Sequence, residues 1–107
     1  MYWSLRKGDE TMLKKSYTGD TCRVTFKLPA EVGAKEAAVC GEFNAWDCTS
    51  HPMRQLKDGG FSKTIHLEPG RRYRFRYWLD GERWENDWDA DDYVPNEFGT
   101  EDAVVEV

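Results

Sequence analysis

Cysteine is scarce and odd in number: Cys22, Cys40 and Cys48 are the only three in 107 residues, and no two stand in C-x-x-C spacing. Neither a disulfide framework nor a zinc site recruiting His51 is expected; buried thiols are. Histidine is scarcer still, and His51 and His66 read as a loop and a strand residue, not as ligands or bases. No apolar run approaches the roughly 20 residues that span a bilayer, and the first residues hold no apolar signal core. No membrane partner is expected, and the expected compartment is the cytoplasm. The net charge is −5, and basic residues gather only over Arg71 to Arg76, with aromatic residues between them, so a nucleic-acid partner is not expected either.

Catalytic signatures are missing as well. There is no G-x-S-x-G, no phosphate loop and no dinucleotide fingerprint, and no motif pairs any two of the 20 acids in the way glycoside hydrolysis requires. Asp87, Asp89 and Asp91 alternate as in a calcium loop, but Asp92 stands where that loop needs glycine and Phe98 where it needs glutamate. No catalytic residue, no metal and no cofactor is expected.

What the chain does have is charge of both signs at 33%, apolar residues at 39%, and a length suited to one domain that hides roughly two-thirds of its unfolded surface. From Thr21 onward, apolar and polar residues alternate in short runs. Cys22, Val24, Phe26 and Leu28 share one face of a first strand; "AAVCGEF" places Ala37, Val39, Gly41 and Phe43 together; "FSKTIHL" alternates Phe61, Ile65 and Leu67 with polar residues. "RRYRFRYWL" puts Tyr73, Phe75, Tyr77 and Leu79 on one face and Arg72, Arg74, Arg76 and Trp78 on the other. Turn formers separate the runs at Pro69-Gly70, Asp58-Gly59-Gly60 and Asp80-Gly81. The pattern predicts an all-β, immunoglobulin-like antiparallel β-sandwich of about seven strands with almost no helix. Residues 1–13 read as a flexible or loosely docked lead-in and 14–107 as the sandwich.

Two registers can close the hairpin at Asp80-Gly81. A two-residue loop pairs Trp84 with Tyr77 on the core face, whereas a three-residue loop with glycine in the left-handed position pairs it with Arg76 on the face of Trp78. The second is expected, because that face already carries Arg74, Arg76 and Trp78. A flat aromatic face rimmed with donors matches a sugar ring, which has an apolar C–H face and a rim of hydroxyls. Each tryptophan also has a plainer reading as cover for the open side of a thin sandwich, and Trp88, in the acidic connector, is expected to pack.

"VCGEFNAWD" (Val39 to Asp47), then "GRRYRFRYWLDGERWEND", then "DDYVPNEFGTEDAVV" together resemble carbohydrate-binding module family 48, over about residues 14 to 107. That family includes the early-set domains of branching enzymes, isoamylases and pullulanases and the glycogen-binding domain of AMP-activated protein kinase β subunits. The resemblance implies non-catalytic binding of an α-1,4-linked glucan polysaccharide or oligosaccharide. It makes Trp46 and Trp84 stacking plates and Arg76 the hydroxyl donor, and the outward face of the strand sets Trp78 beside Trp84. Phe98, Thr100 and Asp102 would form the far edge of the site, with Phe98 where kinase-subunit members have leucine and Asp102 where they have asparagine. A glucan-metabolising enzyme or kinase is the implied protein partner. A catalytic barrel takes typically ~250 residues, so an accessory module is expected and not an enzyme. The alternative is a protein-interaction or scaffold domain that keeps the fold with a weakened or lost sugar site.

Overall fold

The structure, a computed structural model, describes residues 13–107. The lead-in expected over residues 1–13 lies, apart from Leu13, outside the described residues. Among the described residues nine strands follow one another: β1 (Leu13–Thr18), β2 (Thr21–Leu28), β3 (Ala37–Gly41), β4 (Arg54–Gln55), β5 (Phe61–Leu67), β6 (Arg72–Leu79), β7 (Arg83–Glu85), β8 (Asp92–Pro95) and β9 (Glu101–Glu106). The helical content of the same residues is two short 3₁₀ turns, Ala30–Val32 and Glu42–Asn44.

All pairings are antiparallel and build two sheets, one ordered β1-β2-β5-β4 and the other β3-β6-β9-β8, with β7 also on β6. Their inner faces pack into an immunoglobulin-like sandwich. Cys22, Val24, Phe26 and Leu28 of β2 face Phe75, Tyr77 and Leu79 of β6 across a core in which all seven are buried. Phe26 meets Phe75 edge-on across the sheets with ring centroids 5.0 Å apart, and each such fully buried side chain contributes about 1.5–3 kcal/mol.

Nine strands replace the expected seven for local reasons. β1 exposes five of its six residues, so it has no alternating apolar face to read and is held as an edge strand by its ladder to β2. β8 carries Pro95 inside an acidic stretch, which an edge strand tolerates. β4 is only two residues long.

Behind the site, the Tyr77 hydroxyl donates to Asp87 Oδ2 at 2.7 Å, and both residues are buried. Burial first and the Asp87 charge second push the phenol well above its ordinary value, so Tyr77 stays a donor. Tyr77→Phe strips this donor from a buried carboxylate. It is expected to cost about 1.5–3 kcal/mol in urea unfolding, and a change within the error of the measurement would show that the bond contributes nothing.

Candidate functional site

The second sheet turns its even-numbered β6 residues outward. β3 takes one edge of β6 through Val39↔Tyr77 and Cys40↔Arg76; the other edge is shared end to end by β9, against residues 72–75, and β7, against residues 77–79. Arg76 stands at the junction.

The hairpin that carries β7 differs from the expected register. Asp80 and Gly81 both adopt left-handed φ, 54° and 67°, and Glu82 N–H donates to the Leu79 carbonyl at 3.0 Å. The turn therefore spans Asp80-Gly81, and Glu82 is the extra residue before β7, giving Leu79↔Arg83 and Trp78↔Trp84. Trp84 lies on the outward face, opposite Trp78 and not opposite Arg76. The reason is Asp80, whose Oδ1 accepts from the N–H groups of Glu36 and Lys35 at 2.9 and 2.7 Å. Those two bonds hold its carboxyl below the usual carboxylate range and pin the aspartate itself in the left-handed position.

On the β3 side, the segment after Gly41 folds back over the sheet. Cys40 points outward yet is fully buried, because it is joined to Cys48 in a disulfide, so the expectation of unpaired thiols holds only for buried Cys22. The eight-residue separation hides this pairing in the sequence; the fold-back brings the two Cα atoms to 5.1 Å. Phe43 turns inward to Phe26 and Tyr73. Asn44 ties the loop: its Oδ1 accepts from Gly41 N–H, and its Nδ2 donates to the Val39 carbonyl. Ala45 and Trp46 then adopt left-handed φ of 56° and 62°, a strain of order 1–3 kcal/mol each that turns the Trp46 indole out to solvent.

Since Asn44 Nδ2 also lies 2.9 Å from His51 Nδ1, that ring nitrogen must accept, and His51 is held neutral. Burial, then the charge of Lys63, lowers its pKa, with Asp47 opposing. A depressed histidine pKa means that the unfolded chain binds more protons, so stability is lost as pH falls below about 6.5 toward the depressed value. Thermal unfolding should show a lower midpoint at pH 5.5 than at 7.5, with part of the difference removed in His51→Gln. An equal difference in both proteins would exclude His51 as its source.

Between loop and hairpin lies an open cleft of about 380 Å³. Trp46, Trp84 and Phe98 stand around it, 37%, 41% and 79% exposed. Arg74, Arg76 and buried Asp102 form its floor, and Glu42 and Glu97 its acidic rim. The Arg76 guanidinium lies 5.5 Å from the Trp84 ring centroid, a cation–π contact, and its Nε is buried with no hydrogen-bond partner among the described residues. Arg74 Nη1 is 3.7 Å from Asp102 Oδ2, while Asn96 Nδ2 donates to Asp102 Oδ1 at 3.0 Å. Asn96 Oδ1 accepts from the N–H groups of Phe98 and Thr100, which fixes the turn that presents Phe98.

Of the residues expected at a site, Trp46, Arg76, Trp84, Phe98 and Asp102 meet in this cleft. Asp102 is only 6% exposed and serves Arg74 and Asn96 from beneath. Thr100 does not line the cleft; its hydroxyl is engaged with Asn96. Trp78 packs on Trp84 but lines a neighbouring cleft. Trp88 packs against the core and donates its Nε1–H to Glu85. Arg74, expected on the same outward face as Arg76, joins the cleft residues, whereas Glu42, Asn96 and Glu97 were not expected at the site. Arg74 stands two residues before Arg76 on the same face; the other three depend on how the two loops fold back. Among the described residues, no group of three or more His, Cys, Asp or Glu could hold a metal ion, and no helix is long and apolar enough to cross a membrane.

A β-sandwich with an open aromatic cleft, donors and acceptors on its floor, is built as a carbohydrate-binding module. Comparison with known families specifies it: the chain belongs to the family described as the glycogen recognition site of AMP-activated protein kinase, whose model matches residues 22–107. It is also similar to the 1,4-alpha-glucan branching enzyme GlgB of Photobacterium profundum, 49% identical over 43 residues, or 39% of this chain and 6% of that enzyme. With 1,4-alpha-glucan branching enzyme GlgB 2 of Xanthomonas euvesicatoria pv. vesicatoria it shares 41% identity over 61 residues, 55% of this chain and 8% of that enzyme. The matched regions thus cover less than a tenth of these enzymes' length.

Proposed function

We propose that the domain binds α-1,4-linked glucan chains by stacking glucose rings on Trp46 and Trp84, with Arg76 and Arg74 donating to hydroxyls and Phe98 closing the far side. One observation carries this reading: three exposed aromatic side chains, from the Ala45 to Asp47 loop, from β7 and from the turn before β9, surround two arginines in a single cleft. They enclose it from different sides, and such a concave platform suits a chain that curves better than one that lies flat. The acidic rim at Glu42 and Glu97 favours a neutral polymer over an anionic one. Taking for each glucose ring the ~1–3 kcal/mol that a nucleobase gains by stacking on an aromatic side chain, two plates and a few hydrogen bonds give affinities of about micromolar to millimolar. Weak, reversible attachment of this kind suits a module that brings a glucan-metabolising enzyme or a kinase to its polymer.

Native gel electrophoresis with polysaccharide cast into the gel tests the reading. Amylopectin is expected to retard the protein, and hydroxyethylcellulose at equal concentration is expected not to. Equal mobility in both gels and in a gel without polysaccharide would refute glucan binding and favour a scaffold role.

A further inference from the structure

We propose a second α-glucan subsite beside the first, in the cleft lined by Trp78 at the β3 edge of the sandwich, where Gln55 of β4 and Phe61 of β5 also line it, so that one long chain runs from the Trp46 and Trp84 cleft across the Trp78–Trp84 pair into it. The inference rests on the glucan reading above and extends it.

Trp78 and Trp84 are directly opposite on β6 and β7, with ring centroids 4.6 Å apart and planes inclined by 53°. They form a single ridge with a cleft on each side: Trp84 lines the one described above, and Trp78 lines another of about 390 Å³, nearly the same size. The partner of Trp78 on β3 is Ala38, whose short side chain lines the cleft with it.

The lining has the character of a sugar subsite. Ala37, Ala38 and Met53 supply apolar surface, while Lys35, Glu36 and Gln55 stand exposed at its mouth with donors and acceptors for hydroxyls. Two of those polar residues are held in place, because the Lys35 and Glu36 N–H groups both bond the Asp80 carboxylate. Arg74 and Arg76 line the first cleft and Trp78 and Asp80 the second, so the two adjoin at the Trp78–Trp84 pair and share no lining residue. A ridge of two inclined plates between two clefts follows a chain that turns as it advances, and a chain long enough to reach both gains affinity without a second binding event.

Amide chemical shifts of the whole chain, titrated with maltoheptaose, test the proposal together with the double variant Lys35→Ala/Gln55→Ala. The signals of Trp46, Arg76 and Phe98 and those of Lys35, Glu36 and Gln55 are expected to move together with one saturation curve. The double variant, which removes two exposed side chains and the long Gln55 Nε2 to Gly59 carbonyl hydrogen bond, should weaken maltoheptaose by about tenfold. Shifts confined to the first group, with the double variant binding as the wild type does, would overturn the second subsite and leave the first intact. Shifts in neither group would remove the glucan reading itself, and the second subsite with it.

Discussion

Gly41→Ala is expected to destabilise the domain by about 3 kcal/mol, at the upper end of what overpacking costs. Gly41 is an extended residue, with φ at −168°, so conformational freedom is not what requires glycine there. Space is. A Cβ would sit 2.6 Å from the Arg74 carbonyl oxygen and 2.8 Å from the Phe75 Cβ, both on β6, and 2.9 Å from the Phe43 ring. Neither β6 atom can move without shifting the strand that carries Arg74 and Arg76, so the clash reaches the floor of the cleft. In thermal unfolding, 1 kcal/mol corresponds to about 4–8 °C for a domain of this size, and the midpoint should fall by roughly 12 °C or more. A drop of only a few degrees would show that β3 and β6 lie further apart than described.

Trp46→Gly is expected to separate binding from folding. The backbone at Trp46 is left-handed, a conformation glycine adopts without strain, so the substitution should leave stability unchanged or raise it by about 1 kcal/mol. It also removes the plate, and affinity for maltoheptaose should fall by roughly 5- to 150-fold, the equivalent of one stacked ring. Trp84→Ala should lose a similar amount and in addition free the Arg76 guanidinium, which lies over that ring. If Trp46→Gly unfolds the protein, the indole is a packing residue and the account of the loop is wrong. If it is stable and binds as the wild type does, Trp46 is no plate.

The sandwich was legible because its central strands alternate. β2 buries every second residue and β6 does so from Phe75 onward, with Tyr73 half-buried, and a period of two can be read without coordinates. β1 was not legible, since LKKSYT has no apolar alternation and owes its place to hydrogen bonds with β2. In the site, the outward face of β6 could be read, and Arg76 and Trp78 with it. The partner of Trp84 could not, because it depends on whether Asp80 or only Gly81 enters the left-handed region, and that is decided by two distant N–H groups at Lys35 and Glu36. The Cys40–Cys48 pair escaped for a related reason: only the fold-back after Gly41 brings the two residues together, and nothing in an eight-residue spacing announces it. Asp102 shows the same limit. The resemblance makes it a hydroxyl contact, while in the structure it is buried, accepts from Asn96 and faces Arg74 at 3.7 Å.

The most direct measurement is calorimetric titration of the wild-type chain with maltoheptaose and with cellohexaose, at equal concentrations and in one buffer. The cleft of Trp46, Trp84 and Phe98 around Arg74 and Arg76 predicts saturable binding of maltoheptaose in the micromolar to millimolar range, ~4 to 8 kcal/mol, with none for cellohexaose. Equal heats for both sugars, or none for maltoheptaose, would contradict it.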